Sequence, residues 1–209
     1  MKQTVTSLYD TYDDAVAAAG ALAEAGIPIS DISIISNNAD NRSERTHHAA
    51  DDAKKGAGIG AAVGAGLGAA VGGIGGLLNG LGVMALPGVG PVVAAGWLAA
   101  TEVGAAGGAV IAGAAGGLVG MLTSAGAPER DANIYAEGVR RGGTLVAARV
   151  ADAQAPIAHE ILQRYRCVDP MVRAAAYRES GWSSFDENAP VYSPEQIAEE
   201  RARYGKDRM

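Results

Sequence analysis

LPGVGP, residues 86–91, stands between two long runs of small residues, and its reading decides how the middle of the chain is folded. Before it, glycines fall at every fourth position: Gly56, Gly60, Gly64, Gly68, Gly72, Gly76 and Gly80. After it, Gly96, Ala100, Gly104, Gly108, Ala112, Gly116 and Gly120 keep the same interval. A glycine inside a helix costs about 0.5–1 kcal/mol relative to alanine. So many are tolerable only where other helices press on the stripe, because small residues at i, i+4 let backbones approach closely. The Pro-Gly break then reads as the turn of a glycine-zipper helical hairpin over residues 53–126, with helices at 56–86 and 91–124.

A helix turns about 100° per residue, so a step of four overshoots by about 40°. The stripe therefore drifts around the axis and serves more than one neighbour. That favours a homo-oligomer, with all of these glycines as helix-packing residues. Two polar residues lie inside the insert, Asn79 and Glu102, and Glu102 is its only charge between Gly56 and Gly126. A hairpin turning near Val89 brings them within a turn of each other. A carboxylate in an apolar bundle must be protonated or paired, so an Asn79–Glu102 contact is expected. A ring of Glu102 lining a polar path is the alternative.

Outside the insert the sequence is ordinary and mixed. Of the 30 glycines in 209 residues, 23 lie between Gly56 and Gly126, which separates the insert from its flanks. In the first flank, residues 1–37, TVTSLYD is a β-prone run and Thr11 is a helix N-cap with Asp13 and Asp14 in the first turn. Ala15, Val16, Ala19, Leu22 and Ala23 recur at helical spacing, Gly26 and Pro28 stop the helix, and Ile32, Ile34 and Ile35 form a second strand. Residues 38–52 are a polar linker.

The other flank, residues 127–178, opens with a helix from Pro128 to about Arg141, acids early and arginines late. TLVAARV (144–150) is a strand, Asp152 caps a further helix, and Cys167-Val168 begins a short last strand that Pro170 confines to an edge. The order β-α-β, insert, α, β-α-β implies an α+β, ferredoxin-like sandwich with a four-stranded antiparallel sheet and one added helix. Residues 179–209 form an arm, in which Ser193-Pro194-Glu195-Gln196 is a capping-box start for a short charged helix. Such an arm wraps its own domain or a neighbouring subunit.

The opening VTSLYDTYDDAVAAAGALAEAGIPISDISIISNNADN, the insert with ALPGVGPVVAAGWLAAT, and the later APERDANIYAEGVRRGGTLVAARV resemble bacterial general stress proteins of the heat-induced YflT type. The likeness runs over about residues 4–175 and stops short of the arm. It implies a ferredoxin-like domain, a bacterial source and stress-linked expression. It transfers no catalytic residues.

Chemistry is hard to find. A net charge of −6 disfavours a nucleic-acid partner. Cys167 is the only cysteine, which excludes an internal disulfide and a cysteine-built zinc site. GAGIGA and GAGLGA match the dinucleotide pattern loosely but follow no strand and lack the acidic residue about 20 positions on. His47-His48 lie in the polar linker and His159-Glu160 on a charged helix face. A non-enzymatic protein without cofactor, metal or small-molecule substrate is expected, with itself as partner.

Membrane lipid is expected as well. Both helices of the hairpin exceed the roughly 30 Å hydrocarbon core. Lys54 and Lys55 before it, with Arg130, Arg140 and Arg141 after it, place both flanks on the cytoplasmic side. The N-terminus MKQTVTSLYD lacks the apolar core of a signal peptide. The alternatives are a cytoplasmic assembly that buries its hairpins inside, and a pore or permeability regulator.

Overall fold

The computed structural model describes residues 2–38, 82–98 and 117–205. Within them the chain runs β1 (Lys2–Tyr9), α1 (Tyr12–Glu24), β2 (Ile32–Asn37), β3 (Gly82–Leu86), β4 (Gly90–Gly96), α2 (Gly117–Ser124) and α3 (Glu129–Arg140). It continues through β5 (Thr144–Ala151), α4 (Ala155–Arg164), α5 (Pro170–Glu179) and α6 (Pro194–Gly205). This is an α+β fold with one sheet in the order β1-β5-β2-β4-β3, every neighbouring pair antiparallel.

The local signals in the first flank act as their chemistry requires. Thr11 is the N-cap of α1, its hydroxyl accepting from the Asp14 N–H at 3.1 Å. The helix then lays Ala15, Ala18, Ala19 and Leu22 on one face of the sheet. β1 and β2, joined through α1, run parallel with β5 antiparallel between them. β5 is consequently covered on both faces and reads as a nearly unbroken apolar run.

Side chains alternate strictly along it. Val146, Ala148 and Val150 meet α1 and α4, together with Ile32, Ile34, Ile161 and Leu162. Leu145 and Ala147 face the opposite layer, where Leu118 and Leu122 of α2 and Ala132, Ala136 and Val139 of α3 close a second core. Gly138 lets α3 come down onto β1: a β-carbon there would collide with the Leu8 side chain.

The expected helical hairpin is corrected at residues 82–96, which form the two-stranded ribbon β3–β4. Val83, Val92 and Val93 suit a pleated surface. Pro87-Gly88-Val89 makes the connection, with the Val89 N–H donating to Leu86 O at 3.1 Å and with Gly88 and Gly90 at φ +69° and +91°. β2 offers β4 a hydrogen-bonding edge that no helix could use. Gly96, expected in a helix-packing stripe, ends β4 at φ +92°, where a β-carbon would fall onto the Ile32 carbonyl oxygen. Of the other packing glycines only Gly120 is described, on α2. Gly56, Gly60, Gly64, Gly68, Gly72, Gly76, Gly80, Gly104, Gly108 and Gly116 lie outside the described residues, as do Asn79 and Glu102.

The sheet has five strands where four were expected, and the strand expected from Cys167 does not form. Val168 makes a single ladder-like bond, its N–H donating to Leu8 O at 2.7 Å on the outer edge of β1. Arg166 at φ +58° bends the chain before it, and Pro170 begins α5 directly after it. Asp169 favours that helix by capping it, accepting from the Met171 and Val172 N–H groups at 2.8 and 3.2 Å.

Candidate functional site

Polar chemistry in the described residues concentrates where the α3–β5 turn meets the C-terminal arm. α3 ends in Glu137-Gly-Val-Arg140-Arg141, so Glu137 and Arg141 stand one helical turn apart on the same face. Glu137 is 0% exposed and Arg141 8%. Arg141 Nε donates to Glu137 Oε1 at 2.6 Å, and its Nη1 donates to Glu200 Oε2 at 3.2 Å on α6. Its guanidinium carbon lies 4.3 Å over the Tyr177 ring. Arg140 reaches the second Glu137 oxygen at 3.3 Å, and Arg203 reaches Glu200 Oε1 at 3.1 Å.

Burial disfavours the charged guanidinium of Arg141. Its hydrogen bond and charge contact with Glu137, with Tyr192 and Glu200 adding to them, outweigh that and hold its pKa above the ordinary arginine value. The same neighbourhood fixes the backbone of the turn. Arg201 Nε and Nη2 both donate to Gly142 O, at 3.1 and 2.9 Å. Ile197, 1% exposed, fills the space a Gly142 side chain would take. Glu137, Arg140, Arg141, Glu200 and Arg203 are thus each opposed by another protein charge, and Arg201 by a backbone carbonyl, which makes the clasp a fastening for the arm.

A second cluster closes the opposite end of the sheet. Asp31 receives Lys2 Nζ at 2.8 Å and Arg149 Nη2 at 2.8 Å, and the Arg149 guanidinium lies 4.4 Å over Trp97. The Lys2 hydrogen bond lowers the Asp31 pKa; burial opposes this, and the charges of Lys2 and Arg149 add to the lowering. A carboxyl with a depressed folded pKa contributes stability above its unfolded pKa, about 3.9, and loses it as pH falls through the folded value. Asp31→Asn should therefore show a smaller loss of urea midpoint between pH 6 and pH 3 than the parent chain. Equal losses would remove Asp31 from the acid response.

The other reactive groups are unpromising. Burial, with the nearby Asp169 charge, pushes the Cys167 thiol pKa up, the reverse of an activated nucleophile. His159 is exposed and pairs with Gln163 Nε2 at 2.8 Å on the same helix. Among the described residues no group of three or more His, Cys, Asp or Glu could hold a metal ion, and no helix is long and apolar enough to cross a membrane. His47 and His48 lie outside those residues.

The Glu137–Arg141 spacing was visible in the sequence as an i, i+4 pair. Glu200 and Tyr177 were not, because nothing local relates them to Arg141. Comparison with protein-family models, with curated proteins and with solved structures finds no match for this chain.

Proposed function

We propose that this chain is a non-enzymatic, self-associating protein of the bacterial stress type it resembles, whose ferredoxin-like domain carries two glycine-rich stretches that meet those of other copies. The observation behind this reading is where the stretches attach. Residues 39–81 leave at Asn38, whose N–H donates to Pro91 O at 2.9 Å, and re-enter at Gly82, opposite Ala94. Residues 99–116 leave at Leu98, whose N–H donates to Ser33 Oγ at 2.9 Å, and re-enter at Gly117, beside Pro87. Both stretches are tethered at the two ends of one β3–β4 ribbon. Tethering lowers the entropy lost when a stretch is ordered against a neighbour.

The tethers also weigh against the membrane hairpin. Passing out and back through a hydrocarbon core takes about 40 helical residues, and residues 99–116 number 18. A single crossing would put Leu98 and Leu118 on opposite sides, although both belong to one packed core. For residues 99–116, burial against other stretches suits this geometry better than burial in lipid. The non-enzymatic part rests on a clasp whose carboxylates, Glu137 and Glu200, are both paired with arginines, and on an unactivated Cys167.

Light scattering of the purified chain without detergent should give an oligomer. Gly68→Leu or Gly72→Leu should reduce it to a monomer whose sheet domain still unfolds cooperatively in urea. A monomeric parent chain, or an oligomer indifferent to both changes, would sink the reading. An assembly that forms only in detergent would instead favour lipid as the surrounding of the glycine-rich stretches.

A further inference from the structure

The arm does more than close on α3, because its irregular part, residues 180–193, runs over the β3–β4 turn. A β-carbon at Gly88 would lie 2.7 Å from Asp186 O and from Glu187 Cα, and 3.0 Å from the Phe185 ring. At Gly90 it would meet the Val191 side chain at 3.1 Å, and at Gly117 the Glu187 carboxylate at 3.3 Å. Phe185 packs against the core that holds Leu86, Val89 and Leu118. Its N–H donates to Asn133 Oδ1 at 3.1 Å, and Arg140 Nη2 donates to Pro190 O at 2.9 Å.

β4 is buried and paired with β2, but the outer strand and the turn of the ribbon have little of their own to hold them. β3 is largely exposed, with Val83 61% accessible, and its turn is built on glycines. α6, at the far end of the arm, is fixed mainly by charge: Ile197 is its one fully buried apolar side chain, beside Glu200 and part of Tyr204. Elements with few buried apolar contacts open before the rest of a fold. The arm is therefore both a cover for the ribbon turn and the more easily released partner.

We propose that the C-terminal arm is a strap. Docked by the Arg141–Glu200 clasp, it holds the β3–β4 turn and the start of α2, and so fixes the anchors of the glycine-rich stretches at that end of the sheet. Releasing it loosens the anchors and weakens self-association. Only this last step rests on the self-association reading.

The test is hydrogen exchange and oligomer mass on the full chain, comparing Glu200→Lys with Glu160→Lys, an equal charge change on the exposed face of α4. Glu200→Lys should speed exchange at 84–92 and 117–122, leave 144–150 protected, and weaken association roughly 5- to 150-fold, the range of ordinary coupling between sites. Phe185→Ala, which leaves the clasp intact, should speed exchange at the same two segments if Glu200→Lys proves too disruptive. Unchanged exchange there while the arm itself is deprotected would overturn the strap. Faster exchange with an unaltered assembly would keep the strap and overturn its link to self-association. A monomeric parent chain would refute self-association, while the exchange comparison would still decide the strap.

Discussion

Alanine in place of Gly96 should destabilise the domain by about 2–5 kcal/mol. An L-residue held in the left-handed region loses about 1–2 kcal/mol, and overpacking a tight site adds about 1–3 kcal/mol. Both penalties apply at this position. Gly96 has φ +92°, and a β-carbon would overlap the Ile32 carbonyl oxygen and come within 2.8 Å of Ser33 Cα. Backbone atoms of β2 cannot move aside without breaking the β2–β4 pairing.

The sign makes the experiment decisive. In a helix, Gly→Ala would instead stabilise by about 0.5–1 kcal/mol. Urea denaturation followed by circular dichroism measures the difference directly. A neutral or stabilising Gly96→Ala would contradict the strand and return residues 91–98 to the helical reading.

Removing Arg141 should have the second large effect. Arg141→Met leaves Glu137, 0% exposed, with only Arg140 to oppose its charge, and leaves Glu200 facing only Arg203. Breaking a buried pair by deleting one partner costs about 3–5 kcal/mol, mostly through the charge left behind. The remaining arginines put the expected loss near the lower end, about 3 kcal/mol.

Lysine is no substitute, because one ammonium lacks the planar fork that meets Glu137, Glu200 and Ser180 together. Glu137→Gln with Arg141→Met should cost less than the sum of the two single changes, by about 1 kcal/mol or more, since the double variant removes the buried Glu137 charge that Arg141→Met alone leaves behind. Strict additivity in that cycle would show that the two side chains do not act as a pair.

Much of the first flank was legible because its signals are local. Thr11, with Asp14 three residues on, specifies a helix start without reference to the rest of the molecule, and Ile32, Ile34 and Ile35 mark a buried strand. Ser193 and Gln196 did the same for α6, where the Ser193 N–H donates to Gln196 Oε1 at 2.9 Å and the Gln196 N–H returns to Ser193 Oγ at 3.3 Å. The ribbon was missed although its signals were present. Val83, Val92 and Val93 flank a three-residue connection that contains Gly88, which is itself a hairpin pattern. The four-residue glycine interval outweighed them, and Gly96 fell into it by position while serving a different purpose.

Cys167-Val168 shows the opposite error. The residues are β-prone, yet Asp169-Pro170 starts a helix before a second ladder bond can form. The clasp had to remain hidden. Its i, i+4 half is encoded locally, but Glu200 meets Arg141 only because the arm folds back.

The sequence alone determined the helices with caps, the strands with apolar alternation and the crowding of glycine into one region, since each depends on neighbours a few positions away. Tertiary structure decided which edge of β2 would be paired, that LPGVGP would turn a strand ribbon, and that the arm would close on its own domain. Those outcomes turn on whether a backbone edge is free to bond and whether a glycine lies against another chain segment. Such conditions exist only once distant parts of the chain have met.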